Sequence, residues 1–233
     1  MQYQGEGVEQ LRGGGSHVHL RGQLLQALAV APDGGIAEAI ALQPAMSYEL
    51  KDDLRWSAET LVNEIKAQRL LLAAESGELE SKPEPVSARE ILQHVKQMYR
   101  SAAGKAGCDI EFEGDELDAT IETDATVLQR VMGNMLKNAL EAARPGQIVQ
   151  LGVDATPERV TLWCHNDEAI AREVALQIFQ RNFSTKGSDR GLGTYSMKLL
   201  GERVLGGEVS FTSTPERGTR FQIALRRERK NAD

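Results

Sequence analysis

The chain has 233 residues, 41% hydrophobic, 26% charged and 5% aromatic, a balance that suits one large or two modest globular domains and excludes a wholly disordered polymer. Its 27 Lys and Arg against 34 Asp and Glu leave a net charge of −7, which argues against a duplex-wrapping nucleic-acid binder, whose affinity rests on phosphate neutralisation. Cys108 and Cys164 stand far apart without CxxC spacing, so neither a disulfide framework nor a cysteine-rich zinc site is available, and a reducing, cytoplasmic setting is expected.

Residues 1–16 end in Gly13-Gly14-Gly15-Ser16 and read as a flexible lead-in. Residues 17–80 read as a helical hairpin whose first helix diverges. Leu20, Leu24, Leu25 and Leu28 allow a short apolar helix, which Pro32-Asp33-Gly34-Gly35 breaks. The apolar stretch around Leu24 to Ala31 is under half of the roughly 20 residues a bilayer crossing takes, and no basic stretch precedes an apolar core. Neither a membrane span nor an export signal is expected. Beyond Ser47, Leu54, Ala58, Leu61, Ile65 and Leu72 recur at spacings of four and three, with Gln68 as the polar seam position, the pattern of a coiled-coil helix that pairs with a second copy. Gly77 supplies its stop. Lys82-Pro83-Glu84-Pro85 reads as a stiff linker, which places a domain boundary near residue 80.

Residues 81–228 alternate in type. Ser87 and Glu90 form a capping box for a helix through Arg100, and Asp109 to Glu113 and Thr120 to Thr123 read as strands. Asp124 caps a helix with apolar positions from Val127 to Leu140. Two strands follow, Ile148 to Val153 and Arg159 to His165, then a helix from Arg172 to about Asn182. A glycine-rich segment, a helix from Thr194 to Leu205 and strands Glu208 to Thr214 and Thr219 to Arg226 complete it. Helices interleaved with largely antiparallel strands predict an α+β fold, an α/β sandwich of one sheet with helices on one face.

On the polar face of the Asp124 helix, Asn134, Asn138 and Glu141 stand four and three residues apart and project the same way. Asparagine is a mediocre helix former, so this pair points to amides aimed at a ligand. An amide oxygen takes a magnesium position while its NH2 bonds a phosphate oxygen. For this helix alone a solvated face is the competing explanation. The segment Gly187-Ser188-Asp189-Arg190-Gly191-Leu192-Gly193 runs directly into a helix, the arrangement in which backbone N–H groups cradle phosphate. Alone it would more often be a hairpin.

Taken together the motifs resemble those of sensor histidine kinases. Asn134-Met135-Leu136-Lys137-Asn138-Ala139 looks like their N box, Ile178-Phe179-Gln180-Arg181-Asn182-Phe183-Ser184-Thr185-Lys186 resembles the F box, Gly191-Leu192-Gly193 with Thr194-Tyr195 the second glycine box, and Gly218-Thr219-Arg220-Phe221 the final glycine-Thr-x-Phe strand. The resemblance covers about residues 85–226 and implies a Bergerat-type domain that binds ATP with magnesium. The seam helix ending at Leu79 is similar to the second helix of the dimerisation and phosphotransfer hairpin. By resemblance, Asn138 is the magnesium ligand and Asn134 orients water or phosphate. Lys186, Gly191 and Gly193 belong to the lid over the triphosphate, Asn166 stands at the adenine amine, and Gly187, Leu192, Thr194 and Thr219 join them as cofactor-binding residues. Asn134 stands where related ATPases carry a glutamate base; an amide accepts no proton, so slow hydrolysis and preferred phosphoryl transfer are expected.

Two departures stand out. The first glycine box, usually Asp-x-Gly-x-Gly, reads Asn166-Asp167-Glu168-Ala169-Ile170, which sets a Cβ and a charge beside the expected nucleotide position. The Asn166 carbonyl still offers an acceptor to the adenine amine. His17 and His19, the histidines nearest the first hairpin helix, are followed by Val18 and Leu20 where the family has an acid that fixes the imidazole tautomer. The resemblance implies phosphoryl transfer from ATP to a histidine, then to a response regulator receiver domain, in a homodimer. The alternatives are a degenerate kinase-like regulator that dimerises and binds a partner, and a serine-kinase or anti-sigma type switch, which would lack the seam helix.

Overall fold

The computed structural model describes residues 62, 65–114, 116–181 and 192–227. The chain divides into two units, Met1–Lys66 and Ala67–Asp233, and all of the described residues except 62, 65 and 66 belong to the second. Leu54, Ala58, Leu61, His17, His19, Lys186, Gly187 and Gly191 lie outside the described residues, as does the first hairpin helix.

A helix described over residues 65–76, α1, enters the second unit. It is built from strong helix formers, the Leu70-Leu71-Leu72-Ala73-Ala74 run. It stops at Gly77, whose φ of +76 needs no Cβ, and the N–H groups of Glu78 and Leu79 both fall on the Ala73 carbonyl, at 2.9 and 3.0 Å. Leu71 and Ala74 are buried in the core of this unit, whereas Leu72 on the opposite face is 61% exposed.

The segment expected as a stiff linker runs straight into a strand. β1, Glu84–Ser87, pairs antiparallel with β3, Thr120–Thr123. In a two-stranded ribbon every strand has an outer side, where the missing N–H of Pro85 costs no ladder bond. Ahead of it, the Lys82 N–H donates to Asp124 Oδ2 at 3.0 Å, while Asp124 Oδ1 accepts from Val127 N–H at 3.0 Å. One aspartate thus caps α3, Ala125–Ala142, and pins the approach to β1. Between them α2, Ala88–Ala106, starts at the Ser87 cap and runs to Gly107 at φ +68, beyond the expected end at Arg100. Gly107, not a change of composition, ends it.

The main sheet has the order β2-β4-β5-β7-β6, with β2 being Asp109–Glu113, β4 Ile148–Ala155, β5 Arg159–Asn166, β6 Glu208–Thr214 and β7 Gly218–Arg226. β2 and β4 are parallel and the other pairs antiparallel. Alternation along the strands sends Val149, Leu151 and Val153, Leu162 and Cys164, and Phe221 and Ile223 to one buried face. Ile91, Leu92 and Val95 of α2, the Leu128 to Leu136 side of α3, and Met197 pack there. Cys164 is an inert core strand residue, its thiol pushed far up by burial.

The opposite face is closed locally by a stack of side chains. Trp163 lies over Gly152, where a Cβ would stand 2.2 Å from the indole. The Arg220 guanidinium covers the ring at 4.3 Å from its centroid. Trp163 Nε1 donates to Asp154 at 3.2 Å, and Asp154 also pairs with Arg220.

Two predicted helices take different forms. The one from Arg172 is a single turn, α4, Arg172–Ala175. It has no side-chain cap, and a few residues on Phe179 drops onto Phe211 and Phe221, with ring centroids 5.7 and 6.4 Å away, drawing the chain out of the helical path. The one from Thr194 is α5, Gly193–Leu199, continued by a π-helical turn, Leu200–Val204. Gly201 makes that continuation fit: a Cβ there would lie 2.3 Å from Val209 Cγ2.

Candidate functional site

The residues with chemistry converge where α3, α5 and the ends of β5 and β7 meet. α3 is apolar along one side because Leu128, Met132, Met135 and Leu136 enter the core; the same 3.6-residue period brings Asn134 and Asn138 to one edge, one turn apart. Asn134 is 5% exposed. Its Nδ2 donates to Ser196 Oγ at 2.8 Å, and the Ser196 hydroxyl donates to the Gly193 carbonyl at 3.0 Å. Asn138 is half-buried, and its Oδ1 faces Gly193 closely enough that a Cβ there would stand 3.8 Å away. The N-box asparagines and the first turn of α5 thus border one another.

At the other end, Asn166 closes β5 and is 3% exposed, while Asp167 is exposed. Asn166 Nδ2 donates to the Ala139 carbonyl at 3.0 Å, one residue beyond Asn138. A carbonyl partner takes only a donor, so the amide orientation is set and Oδ1 is the end that remains to accept. Gly218 sits behind it at φ +65, where a Cβ would stand 2.1 Å from the Asn166 carbonyl oxygen. Only glycine permits that approach.

The Glu168 departure is absorbed by its neighbours. The carboxylate accepts from Arg144 Nη2 at 2.9 Å and from Gln147 Nε2 at 3.0 Å, both on the turn between α3 and β4. The backbone around it is held by a hydroxyl chain. Ile170 N–H donates to Ser213 Oγ at 2.8 Å, Ser213 and Thr219 are 2.8 Å apart, and Thr219 Oγ1 donates to the Glu168 carbonyl at 2.7 Å. Thr219, expected among the cofactor-binding residues, spends its proton on this loop.

Two residues bracket the segment 182–191, Arg181 before it and Tyr195 after it. Arg181 pairs with Glu75 of α1 at 3.3 Å, and its guanidinium lies 6.0 Å from the Tyr195 ring centroid. Burial, with the Glu75 carboxylate beside it, raises the Tyr195 pKa above the usual phenol range. Leu192 and Thr194 are half-buried, flanking Gly193. Sequence reasoning passed over Ser196, Ser213, Arg144 and Gln147. The signal for Ser196 was available: a hydroxyl between Tyr195 and the buried Met197, Leu199 and Leu200 is a polar group in a core stretch.

An oxygen-donor site suits a hard cation, and among the described residues no group of three His, Cys, Asp or Glu is placed to hold a metal by itself. Among the described residues no helix is long and apolar enough to cross a membrane.

Residues 123–229 match the family model described as the histidine kinase-, DNA gyrase B- and HSP90-like ATPase, and this region belongs to that class of ATPase domains. Within the class, the proteins this chain is similar to are sensor histidine kinases, and its fold is like that of a histidine kinase catalytic domain. The sensor histidine kinase DcuS of Escherichia coli K12 is 35% identical over 111 residues, 46% of this chain and 20% of that protein. The sensor histidine kinase CusS of Escherichia coli O157:H7 is 29% identical over 199 residues, 80% of this chain and 40% of that one. Full-length ShkA in complex with AMPPNP superposes with a TM-score of 0.67, covering 89% of this chain and 44% of that one at 21% identity, a likeness of fold. The chain spans less than half the length of the curated relatives it matches.

Proposed function

We propose that this chain is the catalytic core of a two-component sensor histidine kinase, which binds Mg-ATP in the site between α3, α5 and the end of β5 and passes the γ-phosphoryl to a histidine, and from there to a response regulator receiver domain. The observation that carries the reading is the convergence of Asn134 and Asn138 with Gly193, together with an Asn166 amide whose carbonyl end is left to accept. Asn138 would hold magnesium through Oδ1, and Asn166 Oδ1 would accept a hydrogen from the adenine amine. Magnesium supplies charge neutralisation on the phosphates. Asn134 holds a water or phosphate by hydrogen bonding and takes up no proton, which disfavours hydrolysis. The chain works as a homodimer through the α1 seam, in the cytoplasm, and domains at 17–80 and 81–228 divide pairing from nucleotide binding. Because Val18 and Leu20 follow His17 and His19, neither histidine has an adjacent acid, and autophosphorylation of this chain alone is slow.

The test is a titration of labelled ATP with and without magnesium. Wild type binds in both and gains affinity with the metal; Asn138→Ala loses that gain, by about 1.5–3 kcal/mol, the scale of one hydrogen bond to a charged group. Unchanged Mg-ATP affinity in the variant would sink the N-box assignment. Absence of any nucleotide binding by the wild type would favour the non-catalytic regulator.

A further inference from the structure

We infer that Ser196 is a positioning residue of the nucleotide site, which fixes the polarity of the Asn134 amide through a buried chain running Asn134 Nδ2 to Ser196 Oγ to the Gly193 carbonyl. This rests on the proposed magnesium and nucleotide site and names a residue that acts on it without touching ligand.

An asparagine amide has a donor end and an acceptor end of almost the same shape, so its direction is decided by its partners. At Asn134 the neighbour that decides is itself ambivalent. A serine hydroxyl has one proton and two lone pairs, and turned the other way it would donate to the amide carbonyl and leave the NH2 free. The Gly193 carbonyl removes the ambiguity. It lies 3.0 Å from Ser196 Oγ and takes only a donor. The hydroxyl proton is committed there, its lone pair faces Asn134 at 2.8 Å, and the amide must present Nδ2. Ser196 is 8% and Asn134 5% exposed, so water is poorly placed to substitute for either bond, and an unmade one is costly. Asn134 Oδ1 is then the end with no partner among the described residues, an acceptor fixed in direction.

The chemical consequence lies at the metal. Water bound to a divalent cation is a strong donor and needs acceptors, whereas a phosphate oxygen needs donors. Held acceptor-outward, Asn134 presents its carbonyl to metal-bound water, and with one of its two N–H donors spent on Ser196 it keeps a single donor for bare phosphate. Its carbonyl therefore adds to the binding of the magnesium-bound form of the nucleotide in particular. The chain also joins α3 to the first turn of α5, and the Gly193 it ends on is the residue that Asn138 Oδ1 faces. Both asparagines are thus referred to the same peptide.

The experiment is a double-mutant cycle on magnesium-dependent ATP binding by the full chain, with wild type, Ser196→Ala, Asn134→Ala and the double variant titrated with and without magnesium. Ser196→Ala is expected to leave metal-free ATP affinity within about twofold and to cut the magnesium-dependent gain roughly tenfold, the worth of one hydrogen bond to a charged group. The double variant should lose no more than Asn134→Ala alone. Should the alanine variant fail to fold, Ser196→Cys, near in shape with a weaker donor, is expected to give a partial loss of the same kind. A merely structural serine would lower affinity equally with and without the metal, and that result overturns the inference, as do an undiminished gain in Ser196→Ala or additive losses in the cycle. A wild type that binds ATP with no magnesium gain overturns the site reading instead, which keeps the two failures apart.

Discussion

Arg144 decides what the carboxylate of Glu168 does. The pair is largely at the surface, with the Arg144 side chain 75% exposed, and contributes little to stability. Its effect is electrostatic, because it directs a negative charge to the turn beyond α3 and away from the Asn166 end of the site. Arg144→Ala should therefore weaken ATP binding by about 1 kcal/mol at low salt, with the loss shrinking at high ionic strength. Glu168→Gly in the Arg144→Ala background should restore it. Equal ATP affinity of Arg144→Ala and wild type at low salt would show that Glu168 is harmless without its partner. At this scale the asparagines were legible because side chains at helical spacing announce a shared face. The compensation of Glu168 was not: Arg144 and Gln147 lie more than twenty residues upstream, and only the packing of the α3–β4 turn against the end of β5 brings them together.

Among the elements, strands were the easiest to read. Glu208 to Thr214 is predicted with the bounds observed, and the β4 to β5 hairpin differs only at its ends, because alternation and turn residues are local signals. Helix form was harder, since it depends on what the helix lies against. The turn at Arg172 gives way to the edge-to-face packing of Phe179, and α5 widens into a π turn where Gly201 meets β6 and β7. Gly201→Ala forces its methyl into Val209 and Ile223. The expected cost is about 1–3 kcal/mol, as for other overpacked cores, seen as a lower urea midpoint with an unchanged slope. A midpoint equal to wild type would mean that the helix end slides without penalty and that the close approach is incidental.

For the whole molecule, α1 carries apolar residues on two faces. Ile65 and Leu72 are exposed along the seam that the sequence marks for pairing, while Leu71 and Ala74 belong to the core of the second unit. The heptad pattern reveals the first face; the second is invisible to periodicity, because two buried residues in one turn look like part of the same stripe. Deleting residues 1–80, where composition places the boundary, should uncover the surface that Leu71 covers. The expected cost is on the order of 2–4 kcal/mol, comparable to truncating a buried leucine. Deleting 1–66 should leave the domain as stable as the full chain. Equal urea midpoints for the two truncations would remove Leu71 and Ala74 from the core.

The stack on the open face of the sheet has an optical consequence. The chain has two tryptophans, Trp56 and Trp163; in a Trp56→Phe variant the remaining indole is clamped between Gly152 and a guanidinium, with an anion on its ring nitrogen. A ring so confined in an asymmetric charged setting gives strong near-ultraviolet dichroism and a blue-shifted, poorly quenched emission, both lost when the sheet opens. Since Trp163 stands three residues before Asn166 on the same strand, its spectrum reports whether the Asn166 end of β5 is intact while no ligand is present.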